Sequence, residues 1–230
     1  TFTKIANVIT IAVKLGGSGD PNSNPRLRMA MESAKAVNMP GTNVQRAIDR
    51  GMGQGKEALE EVIYEGFGPG QVAFIIEGVT DNRLRTNQKI RSIFEKNGGH
   101  LAGQGAVSYM FTKIGEIRVQ GKGGDREEEI LELIDLGVED VEDYMEDSPR
   151  GGAGNVQKYL VYIESSELNT MGTKITQAGY DIESQELSMK PTTIQKIEDP
   201  DLAKRVVEFA EKLEEQDDVQ RVYSNIEIPL

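Results

Sequence analysis

The sequence predicts a mixed α+β protein of three folding units. These are a three-helix bundle over residues 1–56, a discontinuous α/β domain over 57–111 plus 190–230, and an acidic ferredoxin-like domain inserted at 112–189. Three observations carry this reading. Apolar residues recur at helical spacing up to about residue 50. From residue 57 β-branched runs alternate with capped helices, as mixed structure requires. Between two halves of one split βαββαβ pattern lies a second, complete copy, and an insertion accounts for it without a long structureless loop.

Ile5, Val8, Ile9, Ala12 and Leu15 mark the first helix, which ends at Gly16-Gly17 because glycine takes the left-handed stop. Asn24-Pro25 supplies an N-cap and a first-turn proline for a second helix on Leu27, Ala30, Met31, Ala34 and Val37, ending at Met39-Pro40. Thr42 and Gln45 have capping-box spacing for a third helix on Val44, Ala47 and Ile48, with a stop at Gly51. Further on, Val62-Ile63-Tyr64 and Val72 to Val79 read as strands, residues 86–97 as a helix on Ile90, Ile93 and Phe94, and Ala106 to Phe111 as a strand. Near the C-terminus come a short strand from Thr192 to Ile197 and a helix capped by Asp199-Pro200 on Leu202, Val206, Phe209, Ala210 and Leu213. A strand from Val219 to Ile228 closes the unit. In the insert, a strand from Glu116 to Val119 precedes a helix from Asp125 to Leu136, and strands follow over Val138 to Tyr144 and Val156 to Ile163. A helix on Leu168, Met171, Ile175 and Ala178 and a strand from Tyr180 to Met189 complete it. The carboxylates of Val138 to Tyr144 suit an exposed edge or a loop equally.

A net charge of −12 argues against nucleic acid until its distribution is considered. Residues 1–56 carry eight Lys/Arg against three Asp/Glu, a net of +5, whereas residues 57–230 carry 18 against 35, a net of −17. Screening over about 8 Å at physiological salt lets a basic domain act beside an acidic one. The cations that form the candidate nucleic-acid surface are Lys4, Lys14, Arg26, Arg28, Lys35, Arg46 and Arg50 in the bundle, with Arg83, Arg85, Lys89 and Lys96 at the helix near residue 90. Arg85, Lys89, Ser92 and Lys96 fall on one helical stripe, which Arg83 extends into the preceding loop. Phosphate tracking explains that stripe, and so does a solvated face partly neutralised by Glu95. Arg28 and Lys35 share a face with Glu32 between them, and Arg46 shares one with Arg50.

Reactive chemistry has little to work with. His100 is the single histidine and reads as a turn residue, and no cysteine is present, so a His-based triad, a thiolate metal site and a disulfide framework all lack their parts. Asp125 to Asp147 holds twelve acids and one base, the density of a solvated face. Gly66-Phe67-Gly68-Pro69-Gly70 precedes a strand instead of opening a helix, and Gly53-Gln54-Gly55-Lys56 is followed by Glu57 where a P-loop needs Ser or Thr. Tyr109 and Phe111, alternating on one strand face, read as core packing in preference to base stacking. The expectation is a protein with no catalytic residue, metal, cofactor or small-molecule substrate. No apolar run reaches the roughly 18 residues of a membrane span, and the cysteine-free composition fits a cytoplasmic location.

Several stretches, in order along nearly the whole chain, resemble the YebC-type family. They are Lys14-Leu15-Gly16-Gly17, Asn24-Pro25-Arg26-Leu27-Arg28, Asn38-Met39-Pro40, Tyr64-Glu65-Gly66 through Gly70, Thr80-Asp81-Asn82-Arg83, Asn97-Gly98-Gly99, Val107 to Phe111 and Val222-Tyr223-Ser224-Asn225. That family includes bacterial proteins described as transcriptional regulators and a mitochondrial translational activator of a cytochrome oxidase subunit. The resemblance implies a helical first domain, an α/β second domain and an inserted third, and a basic Gly-His-Ser-Lys-Trp segment ahead of Thr1. It also implies a DNA-binding transcriptional regulator, or a ribosome-associated translation factor that promotes synthesis through proline-rich stretches. The partner is accordingly nucleic acid, DNA or ribosomal RNA, with the ribosome itself as the alternative. A third reading, an adaptor whose acidic insert engages a basic protein, explains the −17 segment without nucleic acid.

Overall fold

The computed structural model describes residues 2–54, 59–147 and 155–227. The chain divides into two compact units, Thr1–Met110 with Thr193–Leu230, and Phe111–Thr192. In chain order the first unit opens with α1 (Phe2–Gly16), α2 (Pro25–Ala36), α3 (Gly41–Asp49), β1 (Glu60–Phe67), β2 (Ala73–Thr80), α4 (Arg83–Lys96) and β3 (His100–Ala102). The second unit comprises β4 (Phe111–Gln120), α5 (Arg126–Asp135), β5 (Asp140–Asp147), β6 (Asn155–Glu164), α6 (Leu168–Gln177) and β7 (Asp181–Pro191). The chain then returns to the first unit with β8 (Gln195–Lys196), α7 (Pro200–Glu214), β9 (Val219–Ser224) and β10 (Ile226–Glu227).

The bundle closes on Ile9, Ala12, Val13, Leu27, Ala30, Ala34, Ala47 and Ile48, and its four alanines let the helices approach closely. Asn24 caps α2 by accepting from the Leu27 amide at 3.1 Å, and its Nδ2 donates to the carbonyls of Ala12 and Ser18, binding the start of α2 to the end of α1. The expected capping box does not form. Helix α3 starts behind Pro40 with no side-chain cap, so Thr42 already lies inside it, and Gln45 donates instead to Asp49 at 2.9 Å. Gly51 is not a stop either: α3 runs on into a π turn over Arg50–Gln54, and the left-handed residue is Gly53, at φ 86°. At Gly51 a Cβ would fall 2.6 Å from Val13 Cβ, so its glycine serves close contact with α1. The Gly55-Lys56-Glu57 part of the P-loop comparison lies outside the described residues.

The first sheet has the order β3-β1-β2-β9 with every neighbour antiparallel. Its connectivity is β-β-α-β, then α-β after the insert, instead of the split βαββαβ order expected for it. A tight turn between β1 and β2 makes them adjacent, and α4 then carries the chain across to the far side of β1. Helices α4 and α7 cover the face bearing Val62, Tyr64, Phe74 and Ile76, with Phe209 edge-on to both Phe74 and Phe94 at 5.0 and 4.9 Å. On α1, Ile11 packs with Leu59 and Val79, joining bundle and sheet.

Three strand expectations in this unit are corrected. Ala106 to Phe111 is not a strand: residues 108–110 form a 3₁₀ turn, and the edge strand is His100–Ala102. Glu65, 4% exposed, accepts the amides of Gly105, Val107 and Ser108 at 2.8, 2.8 and 3.0 Å, so those N–H groups need no neighbouring strand. Tyr109 consequently stands 71% exposed and shares no strand face with Phe111, which begins β4. His100 is a strand residue rather than a turn residue, its ring centroid 5.4 Å from that of Phe67. The strand from Val219 breaks at buried Asn225, which accepts from the Ala73 amide at 2.8 Å and donates to the Thr193 carbonyl; beyond it β10 pairs in parallel with β8. Ile228 lies outside the described residues, and the strand expected over Thr192 to Ile197 is confined to Gln195–Lys196.

The second unit has the order β5-β6-β4-β7, all antiparallel, in β-α-β-β-α-β succession. Its core is built on Ile117, Val119, Leu133, Tyr159, Val161, Ile163, Met171, Ile175 and Tyr180. The acidic run of β5 is an edge strand. Buried Glu129 is satisfied by the Tyr159 hydroxyl and the Gly124 amide, both at 2.8 Å, and Lys158 is held between Glu146 and Glu183. These carboxylates are structural partners.

Candidate nucleic-acid interface

Helix α2 buries Leu27, Ala30 and Ala34, which leaves Arg26, Arg28 and Lys35 exposed. Arg28 and Lys35 are seven residues apart and differ by only about 20° around the helix, whereas Arg26 points roughly the opposite way from Arg28. Arg46 is exposed on α3. Among the described residues no carboxylate lies within 4.0 Å of the charged ends of these four, nor of the exposed Lys89 and Lys96 on α4.

Other expected cations are engaged in the fold. Lys4 donates to the Glu214 carbonyl and Lys14 to the Leu59 carbonyl at 2.8 Å, so both fasten α1 to the α/β part of the unit. Arg50 is half-buried at the start of the π turn and has interactions within the protein. Arg83 is the first residue of α4, not part of the preceding loop, and sits 3.9 Å from Glu60. Arg85 contacts Asp81 at 2.6 Å and Asp218 at 3.5 Å, and its hydrogen bond and charge contact with Asp81 raise its pKa. The stripe expected along α4 is therefore neutralised at its N-terminal end and open at its C-terminal end. Two cations outside the expected set, Arg205 and Lys212, come from α7 to lie beside Lys96. No sequence signal short of the packing of α7 on α4 joins them.

Charge divides less sharply between the units than along the chain. Phe111–Thr192 carries eight Lys/Arg against 18 Asp/Glu, a net of −10, leaving the first unit at −2. A positive surface is thus attainable on the first unit where its acids are paired internally.

Models of the TACO1/YebC protein N-terminal domain and of the TACO1/YebC second and third domain match residues 1–54 and 59–226. The chain belongs to the TACO1/YebC family. A Chloroflexus aurantiacus relative of this family, named "Probable transcriptional regulatory protein", is 43% identical over 230 residues, which cover 99% of this chain and 86% of the relative. A Sulfurihydrogenibium relative with the same kind of name is 45% identical, covering 99% and 87%. The crystal structure of a conserved hypothetical protein from Aquifex aeolicus superposes with a TM-score of 0.83 at 38% identity, covering all of this chain and 90% of that one. The α+β class with leading helices and four-stranded sheets is that of the TACO1/YebC fold. Among the described residues no helix is long and apolar enough to cross a membrane.

Proposed function

We propose that this protein is a non-enzymatic regulator of gene expression that binds nucleic acid through the cations of its helical bundle and acts in the cytoplasm. The observation that carries the reading is the set Arg26, Arg28, Lys35 and Arg46 on α2 and α3, exposed and without carboxylate partners among the described residues. Exposed cations held by no internal pair release counterions when they meet phosphates, and that release drives association. The names of the relatives favour a transcriptional regulator, for which DNA is the nucleic acid. A second reading uses the same cations, because Arg and Lys contacts to phosphate position a protein without reading sequence and suit ribosomal RNA as well as duplex DNA. On that reading the protein is a ribosome-associated translation factor.

The test is binding of promoter DNA and of ribosomes by one preparation at roughly 50 and 200 mM salt. R26A/R28A/K35A/R46A should weaken whichever association exists and flatten its salt dependence by about 0.9 in log–log slope per lost duplex contact. Wild-type affinity and slope in that variant would remove the bundle from the interface. Pelleting with ribosomes alone would select translation, and a promoter shift alone would select transcription.

A further inference from the structure

We propose that the cleft between the C-terminal end of α4 and the face of α7 holds a backbone phosphate of the bound nucleic acid, through Lys96, Arg205 and Lys212. The assignment rests on the nucleic-acid reading above and adds a contact outside the bundle. On α7 the residues Ala203, Val206, Phe209 and Leu213 go into the core, which turns Arg205, Glu208 and Lys212 to another stripe. The edge contact of Phe209 with Phe94 fastens that helix to the last turn of α4. A cleft of about 270 Å³ results, lined by Pro69, Lys96, Asn97, Gly98, Arg205, Glu208 and Lys212.

Three cations face one carboxylate there, and that carboxylate, Glu208, has Lys204 at 4.0 Å as a partner of its own. Lys212 is pre-positioned: its Nζ donates to Asn97 Oδ1 at 2.9 Å, and the Asn97 Nδ2 is itself fixed on the Ile93 carbonyl at 2.7 Å. Two N–H groups of the ammonium remain for a ligand. Gly98 sits at φ 78°, a left-handed conformation that glycine takes without strain, and a Cβ there would meet Arg205 Nη2 at 3.8 Å, which places the guanidinium beside this turn at the cleft wall.

Helix capping does not account for the cluster. One cation at a helix C-terminus is favoured by the dipole, but the carbonyls of Ile93, Phe94 and Glu95 already accept from Asn97 Nδ2 and from the amides of Asn97, Gly98 and Gly99. Gathering three cations at that end adds mutual repulsion, which a bound anion relieves. The chemistry of the lining selects the anion. A planar guanidinium fork beside two ammonium groups matches the tetrahedral oxygens of a phosphate. Pro69 is the one apolar residue among those lining the cleft, and Ile93 borders only the adjoining hollow that shares Lys96, Asn97 and Lys212, so the cleft itself gives a base little to stack on and a protein partner a poor anchor. A phosphodiester whose sugars and bases stay outside fits what remains. Lys89, seven residues before Lys96, lies about 10 Å back along α4 on nearly the same face and continues the path.

The experiment compares full-length wild type, R205A/K212A and the charge-conserving R205K/K212R for binding to a short single-stranded RNA and to a DNA duplex at roughly 50 and 200 mM salt. Two lost contacts should lower the slope by about 1.4 on the single strand or 1.8 on the duplex, and R205K/K212R should keep most of it. A wild-type slope in R205A/K212A, while the bundle variant loses affinity, overturns the cleft and leaves the nucleic-acid reading standing. Failure of the wild-type chain to bind either polymer sinks that reading and the cleft contact with it. In parallel, RNA should shift the amide resonances of Asn97 and Gly98 in the wild type and not in R205A/K212A. Shifts produced by polyglutamate and not by RNA would assign the cleft to an acidic protein and overturn the proposal.

Discussion

Glu65 shows how much a single side chain decides. Burial pushes its pKa up, but the three amide donors of Gly105, Val107 and Ser108 outweigh burial and hold it below its ordinary 4.5. Because the folded value is lowered, its contribution to stability is complete above about pH 4.5 and disappears as pH falls through the lowered folded value. Glu65→Ala should cost roughly 2–3 kcal/mol in urea denaturation at neutral pH, since it strands three backbone donors. The variant should also lose part of the acid sensitivity of the wild type, and an unchanged stability–pH curve would contradict this account. The sequence could show an acid in a strand of apolar residues. It could not show which amides that acid collects, some 40 residues downstream, and so Ala106 to Phe111 was misread as a strand.

At the scale of elements, α4 was legible as a helix but not as a charged surface. Its apolar residues Ile90, Ile93 and Phe94 specify the buried side by spacing alone, and Asn82 supplies the cap. Arg85 is paired by Asp81, four residues before it, and again by Asp218 from the turn before β9, while Lys89 and Lys96 stay open among the described residues. Arg85→Ala should therefore leave RNA and DNA affinity and their salt slopes near wild type, with little change in stability because its guanidinium is exposed and screened by solvent. K89A/K96A should weaken both affinities. The reverse order in a binding titration would show that the ion pairs of Arg85 open on association.

At the scale of the molecule, the first unit is assembled from chain ends separated by the insert, while Phe111–Thr192 contains all of its own strands and core. A chain ending at Thr192 lacks α7 and β9, which uncovers Phe74 and Phe94 and the edge of β2. That truncation should abolish cooperative thermal unfolding of the first unit while the second still melts as one transition, measurable by calorimetry. Two cooperative transitions in the truncated chain would mean that the bundle and three strands suffice. The sequence by itself determined the α+β class, the helix faces, most caps, and the concentration of acids away from the bundle, because periodicity and capping are local properties of neighbouring residues. Tertiary structure alone decided the strand order of the first sheet and brought Glu60 to Arg83 and Asp218 to Arg85. It also brought Arg205 and Lys212 of an acidic segment to Lys96. Strand neighbours and ion pairs of this kind join residues far apart in the chain, and only packing sets the distances between them.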